Sequence, residues 1–101
     1  MAPSRHRFTA RLWRWEGPAA WYFVSLPHDV SDEIADAVEG RTGGFGSVRV
    51  DVVVGFSQWS TSLFPDSREG TYLLPVKKAV RLAESLDEGA DVDVSLTVVH
   101  R

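Results

Sequence analysis

Apolar and polar residues alternate strictly in separate stretches of this chain. In HRFTARLWRWE, residues 6–16, Phe8, Ala10 and Leu12 fall on one side, while Arg7, Thr9, Arg11 and Trp13 fall on the other. In SVRVDVVVG, residues 47–55, Val48, Val50, Val52 and Val54 share a face; in DVDVSLTVV, residues 91–99, Val92, Val94, Leu96 and Val98 do. A period of two is that of a strand with one buried face. The first strand ends at the turn signal Gly17-Pro18. AWYFVSL, residues 20–26, is aromatic, β-branched and almost continuously apolar. It predicts a second strand buried on both sides, joined to the first as a hairpin, with Trp21 in the core. After Gly55, FSQWSTSLF predicts a fourth strand, PDSREG a turn, and YLL a short fifth strand ending at Pro75.

Between the strands the period changes. HDVSDEIADAVEG places Val30, Ile34, Ala37 and Val38 at helical spacing with acids between them. Asp29 or Ser31 is the expected N-cap and Gly40 the expected C-cap. RTGGFG then reads as a flexible glycine-rich connection. Residues 76–86 predict a second helix, with Val76, Ala79, Val80, Ala83 and Leu86 on its apolar side.

The order repeats. Residues from about 6 to 54 read strand, strand, Leu26-Pro27, helix, valine strand; residues 55–99 read strand, strand, Leu74-Pro75, helix, valine strand. Laying one Leu-Pro on the other puts Ile34 on Leu82, Ala35 on Ala83 and Asp36 on Glu84. Such self-similarity predicts two ββαβ halves related by a pseudo-twofold axis. Six strands of this kind close most economically into a small barrel, which removes exposed edges. The expected fold is therefore mainly β with two short helices that plug or cap the barrel ends. Its own side chains fill a barrel this small, leaving no internal ligand chamber.

Composition narrows the setting. A chain of 101 residues forms one domain, residues 1–101, around a single core. With no cysteine, the chain has no disulfide, thiolate metal site or cysteine nucleophile. Small secreted domains often depend on disulfides, so a cytoplasmic location is expected. MAPSRHRFTARLW has a basic start but no apolar segment after it, so it does not read as a signal peptide. No apolar run approaches the ~20 residues of a membrane helix. The net charge of −3 argues against nucleic-acid binding, although Arg5, Arg7, Arg11 and Arg14 and then Lys77, Lys78 and Arg81 form local basic groups.

Candidate chemistry is thin. His6, His28 and His100 have no metal-ligand spacing, and no cofactor is implied. Ser57, Ser60 and Ser62 have no base partner in the sequence and no nucleophile-elbow motif. GRTGGFG lacks the Gly-Lys-Ser/Thr ending of a phosphate loop and precedes a strand. The acids Asp32, Glu33, Asp36 and Glu39 read as the solvated face of an amphipathic helix. Four tryptophans are more telling. Trp13 and Trp15 share a face with Arg7 and Arg11; Trp59 lies on the face of Ser57 and Thr61. The first reading is that helices or loops cover these rings and make a second small core. The sharper one is an exposed patch of Trp13, Trp15 and Trp59 with Arg11 that binds a ligand or partner. Lys77, Lys78 and Arg81 add a second candidate, since cations at a helix N-terminus oppose the macrodipole and do nothing for the helix.

The segments FTARLWRW, AWYFVSLPHDVSDEI, SVRVDVVV, FSQWSTSLFP and YLLPVKKAVRLAESLDEGADVDVSL resemble an uncharacterised bacterial family, the domain-of-unknown-function family nineteen-oh-five. The resemblance runs from about Arg7 to Val99 and is most specific in the last segment. One departure is Gly89-Ala90-Asp91, where the family typically has Gly-Asp before the last strand. The resemblance implies a six-stranded double-split barrel, akin to the swapped-hairpin barrels of antitoxins and transition-state regulators. It implies no known activity. Relatives often carry a C-terminal bacteriocin-protection domain of the YdeI/OmpD-associated type, which is not expected here. In the regulator barrels a basic dimer surface contacts DNA, whereas the first-half positions matching Lys77, Lys78 and Arg81 are Asp29, Val30 and Glu33.

The expectation is thus a non-enzymatic binding or interaction module of a bacterial cytoplasm, with an unknown protein or small molecule as partner. The runner-up is a small-molecule-binding protein or small enzyme using a cleft at the barrel rim. A nucleic-acid-binding regulator comes third. The internal repeat completes the barrel within one chain, so a monomer or weak homodimer is expected.

Overall fold

Every second residue of the stretch 48–54 is withdrawn from solvent. Val48, Val50, Val52 and Val54 are buried, while Arg49, Asp51 and Val53 between them are exposed. The structure, a computed structural model, describes residues 5–17, 19–38 and 46–99. Its elements are β1 (Arg5–Arg14), β2 (Tyr22–Ser25), α1 (His28–Val38), β3 (Val48–Val54), β4 (Ser57–Asp66), β5 (Thr71–Pro75), α2 (Lys78–Ala83) and β6 (Asp91–Val98). The strands close into a barrel in the order β1-β2-β5-β4-β3-β6, every neighbouring pair antiparallel. This is the mainly β, six-stranded barrel with two helices that the patterning predicts. The ring is unchanged when β1, β2 and β3 exchange places with β4, β5 and β6, an order that two ββαβ halves would have.

One buried cluster fills the interior. Leu12, Val24, Val50, Leu63, Leu74 and Val94 enter it from the six strands, Ile34 and Val38 from α1, and Val80 from α2. Each such side chain contributes roughly 1.5–3 kcal/mol relative to exposure, an upper range for chains compact when unfolded. No helix among the described residues is long and apolar enough to cross a membrane.

Several local expectations need correction. The segment 20–26 is not buried on both sides: Val24 and Leu26 point inward, but Trp21 is 50% exposed. A closed barrel has one interior, so a strand's other face looks outward however apolar it is. Ser31 is not a cap. Its N–H donates to the Pro27 carbonyl at 2.9 Å within the first turn of α1. Its buried Oγ accepts the Tyr72 N–H at 3.2 Å, tying α1 to β5. The Thr71 hydroxyl adds a second tie, donating to the Leu26 carbonyl at 2.8 Å. The expected C-cap Gly40 and most of the glycine-rich loop lie outside the described residues.

The second helix is shorter than residues 76–86. Ser85 adopts φ 54°, the left-handed region, and stops it. The Leu86 N–H then bonds the Arg81 carbonyl at 2.8 Å and the Ser85 N–H bonds Leu82 at 3.4 Å, the paired bonds of a Schellman ending. Ala79 and Ala83 are exposed, and Leu82, which aligns with buried Ile34, is 70% exposed. A helix this short buries essentially one side chain, Val80. Just past it, the Glu84 carboxylate accepts the Ser57 hydroxyl at 2.8 Å and the Phe56 N–H at 3.3 Å. Those groups belong to the two-residue turn Gly55-Phe56 and the first residue of β4. Gly55, at φ 58°, supplies the positive φ a tight hairpin turn needs.

Candidate functional site

Strand pairing sorts the aromatic residues by face. Leu12 of β1 is buried, so its neighbour Trp13 lies on the outer surface beside Phe23 of β2. The Trp13 and Phe23 ring centroids are 5.3 Å apart with a 38° tilt. The Trp13 indole N–H donates to Ser25 Oγ at 2.9 Å. Trp13 is therefore half-buried and held by packing. Trp15 lies beyond the strand, 37% exposed, and its N–H bonds the Trp21 carbonyl at 2.8 Å. Trp21 runs nearly parallel to Phe23 at 6.0 Å. Trp15, Trp21, Phe23, Phe64 and Leu73 line a shallow apolar hollow of about 280 Å³ on the outside of the barrel.

Trp59 belongs elsewhere. It pairs with Val52, on the inward register of β4, and packs partly buried against the core. There it lines a larger cleft of about 580 Å³, together with Trp21, Tyr22, Phe64, Lys77, Lys78 and Arg81. Ala20, Ser60, Thr61, Pro75 and Val76 complete the lining. The chain reaches this cleft from three directions: the approach to β2, the middle of β4, and the junction of β5 with α2. Arg81 is fixed in it. Its guanidinium carbon sits 3.8 Å from the centroid of the Tyr22 ring, and its Nε–H donates to the Val76 carbonyl at 3.3 Å. Such a cation over a ring face is favourable by about 0.5–2 kcal/mol, depending on desolvation.

Charge in the cleft has one sign. Among the described residues its lining holds three cations and neither carboxylate nor imidazole. Among the described residues the one ion-pair contact is His6 Nδ1 with Glu33 at 3.4 Å, so Lys77, Lys78 and Arg81 have no carboxylate within salt-bridge reach. Lys77 and Lys78 are exposed at the start of α2.

Of the residues the sequence singles out, the fold thus brings Trp59, Lys77, Lys78 and Arg81 together. Trp15 lines the adjacent hollow, which shares Trp21 and Phe64 with the cleft. Trp13 is packed on Phe23, and Arg11 sits exposed on β1 opposite Asp91 of β6, outside the cleft. The three rings expected as one patch are therefore divided between faces. Trp21, Tyr22 and Phe64 are the members that sequence reasoning missed. The usable signal was confined to β4, where inward Leu63 puts Phe64 outside; AWYFVSL is apolar on both faces, so nothing in it separates Trp21 and Tyr22 from core.

Other polar groups are structural. Ser60 donates to Asp51 at 2.6 Å and Thr9 to Asp93 at 2.5 Å, both across exposed strand pairs. Arg7, Thr9, Asp93 and Ser95 line a second, mixed-charge concavity of about 540 Å³. His6 Nε2 is buried without a hydrogen-bond partner among the described residues. Burial raises the pKa of Tyr72 above its ordinary value, because the phenolate would lose its hydration. No group of three or more His, Cys, Asp and Glu among the described residues could hold a metal ion.

Residues 8–96 match the sequence profile of a family described as Domain of unknown function (DUF1905). No curated protein matches the chain.

Proposed function

The chain belongs to the DUF1905 family, a membership that specifies no activity, and we propose that it is a binding module whose ligand site is the cleft between β2, β4 and the start of α2. The observation that carries this reading is the cleft's composition. Four aromatic rings and three cations without carboxylate partners among the described residues line one concavity, whose volume of about 580 Å³ lies in the ~300–1,000 Å³ range of small-molecule sites. Unpaired cations beside an apolar floor favour a ligand that is anionic at one end and apolar at the other. An enzymatic role is the weaker reading, since the lining offers no carboxylate or imidazole for proton transfer. A nucleic-acid regulator is weaker still: the net charge is −3 and the unpaired cations of the cleft are confined to a small area. The absence of cysteine favours a reducing bacterial cytoplasm.

The test is retention from bacterial extract on immobilised protein, with bound small molecules and peptides identified by mass spectrometry. The control is the charge-reversed variant Lys77→Glu/Arg81→Glu. Ligands retained by the native protein and lost by the variant support the reading. Equal retention on both refutes it.

A further inference from the structure

We propose that this cleft binds a phosphate monoester carrying a flat heteroaromatic ring, of mononucleotide size, with Arg81, Lys77 and Lys78 on the phosphate and Trp21, Trp59 and Phe64 against the ring. The inference rests on the cleft being the binding site and goes further by naming the ligand class.

Charge is the first argument. Three cations converge with no carboxylate among the lining residues. A monocarboxylate would neutralise one of them. A phosphate monoester carries about −1.5 to −2 at neutral pH and presents three acceptor oxygens, a closer match.

Geometry is the second. Arg81 is already stacked on Tyr22 and anchored through its Nε–H to Val76. That bond uses one of the guanidinium's five donors; the four on the terminal nitrogens have no protein acceptor among the described residues. A fixed planar fork suits the paired oxygens of a phosphate, and holding it in advance lowers the ordering cost of binding. Lys77 and Lys78 add mobile point charges beside it.

Shape is the third. Trp21 is 50% and Phe64 46% exposed, so flat apolar faces of the cleft remain open to a ring. Stacking on such faces is favourable for any nucleobase, which predicts little discrimination among bases. The Thr61 hydroxyl, which has no intramolecular partner among the described residues, offers a handle for a sugar hydroxyl.

The experiment is isothermal titration, paired with tryptophan fluorescence, at low ionic strength. The probes are adenosine 5′-monophosphate, uridine 5′-monophosphate, adenosine, inorganic phosphate, phenylacetate and a ten-residue oligothymidylate. Both mononucleotides should bind at least about tenfold tighter than adenosine or phosphate alone, since both halves of the site contribute. Arg81→Gln should weaken them about tenfold or more while lowering the melting temperature of the free protein by only about 4–8 °C, the loss of its contacts with Tyr22 and Val76, and Arg81→Lys should recover only part. The Lys77→Ala/Lys78→Ala variant should lose affinity and salt dependence together. Adenosine binding as tightly as the mononucleotide overturns the proposal, as does an Arg81→Gln variant that binds normally. So does an oligothymidylate bound a hundredfold more tightly, which would make the cleft part of a strand-binding surface. Phenylacetate binding that depends on Arg81, without mononucleotide binding, sinks the ligand class but leaves the cleft as the binding site. If no probe binds at millimolar concentration the ligand class is wrong, and the extract experiment alone decides the cleft.

Discussion

Replacing Trp13 by serine should cost more stability than replacing Trp21, although both rings lie beside Phe23 on the outside of the barrel. The Trp13 ring packs on Phe23 at 5.3 Å and its indole N–H is bonded to Ser25 at 2.9 Å. Losing the aromatic pair costs about 0.5–1.5 kcal/mol beyond area burial. Losing the hydrogen bond costs about 0.5–1.5 kcal/mol more. A half-buried indole removes on the order of 100 Å² from water, or about 2.5 kcal/mol at 25 cal/mol per Å². Relaxation of Phe23 into the gap recovers some of this, so the net cost is about 3 kcal/mol. For a domain of this length that lowers the melting temperature by on the order of 10–20 °C. Trp21, 50% exposed, hides no more area than Trp13 and stacks on Phe23, but its indole has no hydrogen bond among the described residues, so Trp21→Ser should cost about 2 kcal/mol, the Trp13 figure less the hydrogen bond. Urea unfolding followed by far-UV circular dichroism measures both, with an unchanged m-value as the check that the variants unfold alike. A Trp13→Ser variant within 1 kcal/mol of the native protein would refute the reasoning, and so would equal losses in the two variants. The contrast matters for function. A binding defect in Trp13→Ser would report damaged packing, whereas one in Trp21→Ser would report a lost contact.

Three further outcomes follow from local geometry. Ser85→Gly should stabilise the protein by about 0.5–1 kcal/mol in urea unfolding, because Ser85 sits at φ 54° where an L-residue is strained; part of the gain is offset by the greater freedom of glycine in the unfolded chain. Glu84→Ala should cost about 1–2 kcal/mol by releasing Ser57 and Phe56, and combining it with Ser57→Ala should add little, since both remove one interaction; simple addition of the two losses would speak against the clamp. Because burial raises the Tyr72 pKa, the folded state favours the neutral phenol. That contribution is fully present below about pH 10, the unfolded value, and is lost as pH climbs through the raised folded value. Tyr72→Phe should flatten the fall in stability measured by urea unfolding between pH 9 and pH 11, and an unchanged slope would assign the fall to other groups.

Alternation alone reveals most of the barrel. Val48, Val50, Val52 and Val54, and Val92, Val94, Leu96 and Val98, are buried as their spacing predicts. That works because side chains of a strand point to opposite faces in turn, and burial of one face leaves a period of two in the residues. The rule fails where the residues on both faces are apolar. AWYFVSL carries no period, so its outward members, Trp21 and Phe23, could not be told from core. Residues 76–86 failed differently. Their apolar spacing is helical, but the left-handed Ser85 ends the helix and leaves Leu82 in solvent.

The sequence by itself determined which side of each patterned strand faces inward, and that a cysteine-free chain of this length must hold together by one apolar core. Those properties are local: each follows from a residue and its neighbours two, three or four positions away. Only the tertiary structure decided which strands adjoin. Pairing β5 with both β2 and β4 carries the start of α2, with Lys77, Lys78 and Arg81, to the rings of Trp21, Tyr22, Trp59 and Phe64. It also leaves Trp13 and Trp15 outside that cleft, Trp15 in the adjacent hollow. The order of strands around a closed barrel depends on which long-range pairings bury the most apolar surface together, and no periodicity along the chain records that choice.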